Sequence, residues 1–148
     1  MYVEKIIKTD KEIPLKTRTI LHLLLVTNKI NDEIKIALKP FDVSMEQFNV
    51  LRILKGQNGV PANLSTLNER MVTKMSNTTR LVDKLIIKQF VERSTCEKNR
   101  RKVEIKITTK GINSLTKMNN AVKTTEENIV ANFTKEELIT INNLLNKF

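Results

Sequence analysis

Apolar residues recur every three or four positions over several stretches of the chain, which is the spacing of one helix face. The first stretch runs from Pro14, a residue suited to a first helical turn, to Pro40, which ends the helix. Its apolar positions form two faces, so this helix needs two surfaces to pack against. One face carries Ile20, Leu23, Thr27, Ile30, Ile34 and Leu38, and the other carries Leu21, Leu24, Leu25 and Ile36.

The next two helices follow closely. A capping box of Ser44 and Gln47 opens a helix that ends at Gly56. A shorter helix is predicted over 63–71, and a break at 72–74 follows it. The inward positions are Met45, Phe48, Leu51 and Leu54 in the first of these helices and Leu64, Leu67 and Met71 in the second.

A helix over 75–88 and two short strands come next. Apolar and charged residues alternate over 102–107, the period of a half-buried strand. The other strand is predicted over 91–95, and the polar, basic link 96–101 forms the tip of the hairpin. The predicted buried face of the helix consists of Thr78, Leu81, Val82 and Leu85.

Two helices close the chain. The first begins near Thr109, and a capping box of Thr134 and Glu137 opens the second. The pattern therefore predicts a mainly α fold with a small two-to-three-stranded antiparallel wing. The inward repeat of the long helix is Leu115, Met118, Val122, Thr125, Ile129 and Phe133.

Short helix, tight break, second helix and hairpin are the order of a winged helix-turn-helix. The major groove of duplex DNA is about 12 Å wide and admits one helix, and a basic hairpin beside it can reach the minor groove. Polar side chains at the start of the 75–88 helix suit base edges and phosphates, with the alternative that Ser76 caps the helix and the others are solvated. These candidates are Ser76, Asn77, Thr79 and Arg80.

The charge is concentrated in the same region. The 148 residues carry 26 Lys and Arg against 16 Asp and Glu, a net charge of +10. Residues 60–111 hold 12 basic and 5 acidic side chains, whereas 112–148 hold 4 of each. Nucleic acid is the simplest polyanionic partner, an acidic membrane surface is second, and a merely solvated basic surface is the third interpretation.

Composition restricts the chemistry. One Cys and one His leave no disulfide framework, no zinc site of Cys and His ligands and no nucleophile–base set, and there is no glycine-rich phosphate loop. We therefore expect no catalytic residue, no metal and no cofactor. No apolar run approaches the roughly 20 residues of a spanning helix, and 1–11 lacks the pattern of a secretory signal, so the expected location is the cytoplasm, without a membrane partner.

The region 44–111 resembles the MarR family of bacterial transcription regulators. Gln47-Phe48-Asn49-Val50-Leu51 resembles the opening of that family's second helix, and the eleven residues from Met75 to Leu85 resemble its recognition helix. Phe90-Val91-Glu92-Arg93 resembles the entry to the wing. Asn99-Arg100-Arg101, followed after six residues by Thr108-Thr109-Lys110-Gly111, resembles the wing tip and the start of the fifth helix.

Three positions depart from the family pattern. Asn99 replaces the wing-tip Asp, so it offers only a neutral hydrogen bond to an Arg. Gln89 replaces the usual Gly before the wing, so a tight left-handed turn is not implied there. Thr78 replaces an apolar residue of the recognition helix.

The resemblance implies a homodimeric regulator of duplex DNA, expected to be a repressor that binds a short inverted repeat. Lys74 and Lys84 would contact the DNA backbone, and Arg100 and Arg101 would serve the wing in the minor groove. Segments 1–43 and 112–148 would form dimerisation helices around the DNA-binding region 44–111, all within one structural domain.

A small amphipathic or phenolic effector that releases the DNA is also implied by the resemblance. His22 could line its cleft, although a lone His in an apolar helix is more often packed or at an interface. Cys96, the only thiol, lies near basic residues that could lower its pKa, and a chance surface Cys is the alternative. The alternative function is a winged-helix protein- or RNA-interaction module without sequence-specific DNA binding.

Overall fold

A computed structural model of the chain describes residues 2–72, 77–96 and 99–148. The described residues form seven α-helices, a short 3-10 helix and a two-stranded antiparallel sheet, which confirms the predicted fold class. The elements are α1 (Val3–Ile7), α2 (Leu15–Leu38), the 3-10 helix (Lys39–Phe41), α3 (Met45–Gly56), α4 (Leu64–Arg70), α5 (Thr78–Ile87), β1 (Val91–Cys96), β2 (Asn99–Ile107), α6 (Thr109–Ile129) and α7 (Lys135–Leu145).

Side-chain caps determine where several helices begin. The predicted capping box at α3 is present: the Ser44 hydroxyl accepts from the Gln47 amide at 3.2 Å, and the Gln47 side chain accepts from the Ser44 amide at 3.0 Å. Thr134 and Glu137 form the same box at α7. Because each box satisfies two backbone N–H groups that the helix leaves without partners, it fixes the first residue of the helix.

The structure adds one helix and corrects two predicted boundaries. The added helix is α1, for which no helix was predicted, and its Val3 is fully buried. The helix α6 ends at Ile129 instead of continuing to Phe133, because Thr134 is extended as the N-cap of α7. The strand β2 begins at Asn99 instead of residue 102, because Cys96 pairs with Asn99 across the hairpin.

The described residues divide into two compact units, and Lys35–Lys123 forms one of them. We call it the reading unit, because it contains α5, the helix over which DNA contacts are predicted. In this reading unit, α3 packs against α4, α5 and β2, and α5 packs against β1. The centre of the core is apolar and closed to solvent. It includes Val50, Leu51, Leu67, Val82, Leu85, Ile105 and Met118.

One glycine in the reading unit is required by close packing. Gly111 lies in the first turn of α6, where an added Cβ would stand 2.1 Å from the carbonyl oxygen of Phe90. No side chain fits at that distance, so a glycine at position 111 is required for the backbone of α6 to approach Phe90 this closely. The Thr108 hydroxyl accepts from the Gly111 amide at 3.0 Å and supports the same turn.

A third segment joins the wing. Ala62 and Ile105 form an antiparallel bridge in which the Ala62 amide donates to Ile105 at 3.0 Å and the Ile105 amide donates to Ala62 at 2.7 Å. Both residues are buried. The segment that leads into α4 is therefore hydrogen-bonded to the strand that leads out of the wing tip.

The other unit comprises Met1–Ile34 and Thr124–Phe148. Glu4 and Arg18 pair here at 2.6 Å, and the hydrogen bond from Arg18 lowers the pKa of the Glu4 carboxyl, with a smaller contribution from His22. Many large apolar side chains of this unit face solvent, and α7 contains no buried residue. The exposed set includes Leu15, Ile20, Leu24, Val26, Phe133, Ile139, Leu144, Leu145 and Phe148.

The division into segments 1–43, 44–111 and 112–148 stays a prediction. A search of the described residues for a helix both long and apolar enough to span a membrane finds none.

Candidate nucleic-acid interface

The start of α5 is fixed by Asn77. Its side-chain oxygen accepts a hydrogen bond from the Arg80 amide at 3.2 Å, so Asn77 is the N-cap and the helix begins at Thr78. The predicted helix over 75–88 is therefore shorter at its N-terminus. Asn77 was predicted to contact bases, and the structure adds a capping role for the same side chain.

The two faces of α5 separate as the helical phasing predicts. Thr78, Val82 and Leu85 are buried. Thr79, Arg80 and Lys84, three of the predicted DNA contacts, are exposed on the opposite side. Ile87 is exposed as well, at 82% of its full surface. This face offers a hydroxyl, a guanidinium and an ammonium group to solvent, the donors that phosphates and base edges accept from.

An ion pair joins α5 to the wing. The Arg93 guanidinium on β1 donates to the Asp83 carboxylate at 2.7 Å, and both side chains are partly exposed. An exposed pair of this kind stabilises the fold by no more than about 1 kcal/mol, so its main effect is on orientation. Asp83 is not on the predicted buried face of the helix, and helical phasing alone does not pair it with Arg93. Only the tertiary contact of α5 with β1 reveals that pair.

The wing is a hairpin in which β1 pairs with β2 from Val91 opposite Ile107 to Thr95 opposite Val103, with an irregularity before the tip. The backbone at Arg100 and Arg101 belongs to β2 instead of the predicted tip loop. Their side chains, and that of Cys96, lie outside the described part of the structure.

The turn before the wing is left-handed despite the absence of glycine. Gln89 has a φ of 60°, the conformation that its side chain was expected to disfavour. Two contacts hold it: the Thr108 hydroxyl donates to the Gln89 carbonyl at 2.8 Å, and the Lys110 ammonium donates to the Gln89 side chain at 3.0 Å. The turn of the family pattern is thus kept with a different residue.

The remaining predicted residues have the following positions. Lys74 and Ser76 lie outside the described residues. His22 is half-buried on α2 in the other unit and acts on the Glu4 carboxyl from there. The structure therefore brings Asn77, Thr79, Arg80 and Lys84 together on one helix.

A model of one protein family matches this region. It is described as the MarR family and matches residues 43–103. A curated relative from Bacillus subtilis, the uncharacterized HTH-type transcriptional regulator YfiV, is 39% identical over 67 residues, which are 45% of this chain and 41% of that protein. The match thus spans less than half the length of this relative.

Solved structures share the fold over most of the chain. A putative MarR-like transcription regulator from Bacillus cereus has a TM-score of 0.78 at 23% identity, covering 85% of this chain and 89% of that one. Wild-type MarR from E. coli, in its apo form, has a TM-score of 0.71 at 26% identity, covering 93% and 98%. A cysteine-to-serine mutant of the same MarR, complexed with operator DNA, has a TM-score of 0.75 at 25% identity, covering 84% and 89%.

Proposed function

We propose that the chain belongs to the MarR family, whose model matches residues 43–103, and that it is a transcription regulator that binds duplex DNA sequence-specifically as a homodimer. The observation that carries the proposal is the first turn of α5, where Asn77, Thr79 and Arg80 form an exposed group of polar and cationic side chains beside a basic wing. The E. coli MarR complexed with operator DNA supports duplex DNA as the ligand.

Within this proposal, Asn77 and Arg80 read bases in the major groove. An Asn amide can pair with adenine and an Arg guanidinium with guanine, each through two hydrogen bonds. Ser76 and Thr79 bind base edges or the phosphates beside them. These roles fit the N-terminal half of a reading helix, which enters the groove first.

The basic residues around α5 position the protein on the DNA. Lys74 and Lys84 contact the backbone, and Arg100 and Arg101 act from the wing in the minor groove, where the negative potential attracts Arg. The pair between Asp83 and Arg93 supports a fixed angle between helix and wing. Phosphate contacts carry affinity without sequence preference, so binding should weaken steeply with salt.

Exposed apolar surface supports the homodimer. On α2, Leu15 is 77% and Leu24 is 56% exposed, and on α7, Leu144 is 54% exposed. Exposed apolar side chains in this number are typical of a protein–protein interface. A second copy with two-fold symmetry would cover the same helices on both chains and present two α5 helices to half-sites about one helical turn apart.

A more specific role is part of the same proposal. The protein would act as a repressor that binds a short inverted repeat, and a small amphipathic or phenolic effector would release it from the DNA. His22 would line the effector cleft, because a half-buried imidazole offers an effector both an apolar face and a hydrogen-bonding edge. Release would require the effector to bind the DNA-free form more tightly than the DNA-bound form.

Selection of bound duplexes from a random pool tests the function. The expected result is an enriched inverted repeat whose spacing reports the dimer, accompanied by a two-chain mass in solution. Gel shifts with the enriched duplex and with each single strand form the second arm. Absence of any enriched sequence, or preference for the single strands, would contradict the proposal and favour the interaction-module alternative.

A further inference from the structure

The reading unit contains a cavity of about 440 Å³ at the N-terminus of α3, away from the first turn of α5. We name it the α3 cleft. Its walls come from three parts of the chain: the end of α2 with the following 3-10 helix, the start of α3, and the middle of α5. The residues used below are Lys35, Lys39, Asp42, Ser44, Gln47 and Lys84.

Positive charge predominates in the α3 cleft. Lys35, Lys39 and Lys84 face a single carboxylate of the lining, that of Asp42. That carboxylate accepts a hydrogen bond from Lys88, which lowers the pKa of Asp42, and the nearby Lys84 lowers it further. Because Asp42 is engaged by Lys88, the cleft keeps a net positive field for an incoming anion.

Gln47 gives the α3 cleft an amide donor. The residue is 5% exposed and belongs to the lining, and its side-chain oxygen is used by the capping box with Ser44. The amide nitrogen of the same side chain donates to none of the described residues. A mostly buried amide with its oxygen engaged, in the lining of a cationic cleft, is an arrangement that an anionic oxygen completes.

The position on α3 adds to the attraction. The helix has twelve residues, and its N-terminal amides carry the positive end of the helix dipole. Glu46, in the first turn, opposes this field in part. The lysines and the Gln47 amide are therefore the main determinants, and the dipole is a supporting one.

We propose that the α3 cleft binds a backbone phosphate of duplex DNA that flanks the bases contacted by α5. The inference rests on the proposed function and extends the DNA contact to Lys39 and Gln47, which the sequence analysis did not assign. Lys84 belongs both to the cleft and to the exposed face of α5, so a strand lying along that face continues into the cleft. The phosphate accepts from Gln47 and is neutralised by Lys39 and Lys84.

A matched pair of charge variants tests the site. Lys39→Gln removes a cation of the cleft, and Lys55→Gln removes one from the last turn of α3, at the other end of the helix whose start lines the cleft. We expect Lys39→Gln to reduce the slope of log affinity against log salt by roughly 1.8 for the homodimer, which loses one phosphate contact per chain. Lys55→Gln should leave the slope at the wild-type value.

A phosphate scan locates the contact. Single phosphates of the selected duplex are replaced by neutral methylphosphonates, one per duplex. One position outside the bases read by α5 should lower wild-type affinity about tenfold, the loss of one charged hydrogen bond of about 1.4 kcal/mol. The same replacement should lower the affinity of Lys39→Gln by less than it lowers that of the wild type, because the variant has already lost one of the groups that bind this phosphate.

Gln47→Glu tests the donor. A carboxylate keeps the acceptor of the capping box and removes the amide N–H groups. We expect the folded variant to lose affinity at the same phosphate. If it does not fold, the scan with Lys39→Gln decides. Selective binding by the wild type, with equal salt slopes for Lys39→Gln and Lys55→Gln and no flanking position in the scan, would overturn this inference alone. Absence of selective binding would overturn the proposed function as well.

Discussion

Thr78 donates a hydrogen bond from its hydroxyl to the side-chain oxygen of Asn68, which joins the first turn of α5 to the last turn of α4. Thr78 is 4% exposed, so nearly all of the residue is removed from bulk water. A buried hydroxyl is costly without a partner, and Asn68 supplies one. The hydrogen bond therefore fixes the angle of the reading helix against the helix that precedes it.

A double-mutant cycle measures this bond. Thr78→Val keeps the shape and removes the hydroxyl, and Asn68→Ala removes the acceptor. We expect a coupling free energy of about 1 kcal/mol between them in urea unfolding, the typical net value of a hydrogen bond. Thr78→Ser keeps the hydroxyl, so Asn68→Ala should have the same effect on stability in that variant as in the wild type. Additive effects of Thr78→Val and Asn68→Ala would contradict the bond.

Gly111 should not tolerate a methyl group. Because the Cβ would stand 2.1 Å from the Phe90 carbonyl oxygen, Gly111→Ala must displace the start of α6. We expect a loss of about 2 kcal/mol in the free energy of unfolding, as for other overpacked sites.

Gly56→Ala is the matched control, because no atom lies within 4 Å of its added Cβ. It should be neutral or stabilising by about 0.5 kcal/mol. Equal effects of the two substitutions in chemical unfolding would contradict the close approach of α6.

Glycine should be the better residue at position 89. Gln89→Gly relieves the left-handed backbone, and Gln89→Ala keeps that strain while removing the same side-chain contact with Lys110. We therefore expect the Gly variant to be about 1 kcal/mol more stable than the Ala variant, as measured by urea unfolding. An Ala variant that equals or exceeds the Gly variant would show that the turn is not strained.

Substitutions of Asn77 should separate its role as the N-cap of α5 from its proposed contact with a base. Asn77→Ser keeps a good N-cap, so stability should stay within about 0.5 kcal/mol of wild type, whereas Asn77→Ala should lose about 1 kcal/mol. Under the proposed function, both variants should lose preference at one base pair by about 1–3 kcal/mol. Thermal unfolding and competition binding measure the two effects. Retained preference in Asn77→Ser would remove the base contact and leave the cap.

The pair between Lys88 and Asp42 should be visible in a titration. The hydrogen bond from Lys88 lowers the pKa of the Asp42 carboxyl in the folded chain. The bond therefore stabilises the fold above the unfolded-state pKa of Asp42 and loses this effect as the pH falls through the lower folded-state value. In carboxyl-carbon NMR, Lys88→Gln should raise the pKa of Asp42, whereas Lys55→Gln should leave it unchanged. No rise in Lys88→Gln would contradict the pair.

The sequence predicts the faces of α5 well because helical periodicity reports directly which positions are buried. Thr78, Val82 and Leu85 lie inward, as the phasing required. The capping boxes at α3 and α7 were equally predictable from the sequence, because the two partners of each box are only three residues apart.

Contacts between distant residues were not predictable in this way. Asp83 and Arg93 are ten residues apart in different elements, and only the packing of α5 on β1 pairs them. At Gln89, local preference opposes the observed backbone, and the bonds from Thr108 and Lys110 override it. Gln47 was predicted as a cap, but the cavity beside its amide requires the fold.

The bridge between Ala62 and Ile105 has a consequence for the order of folding. The two strands of the wing are neighbours in sequence, so their hairpin closes a short loop at little entropic cost. The bridge instead closes a long loop that contains α4, α5 and most of the wing. The hairpin can therefore form early, whereas its attachment to the segment before α4 carries the entropic cost of closing the longer loop.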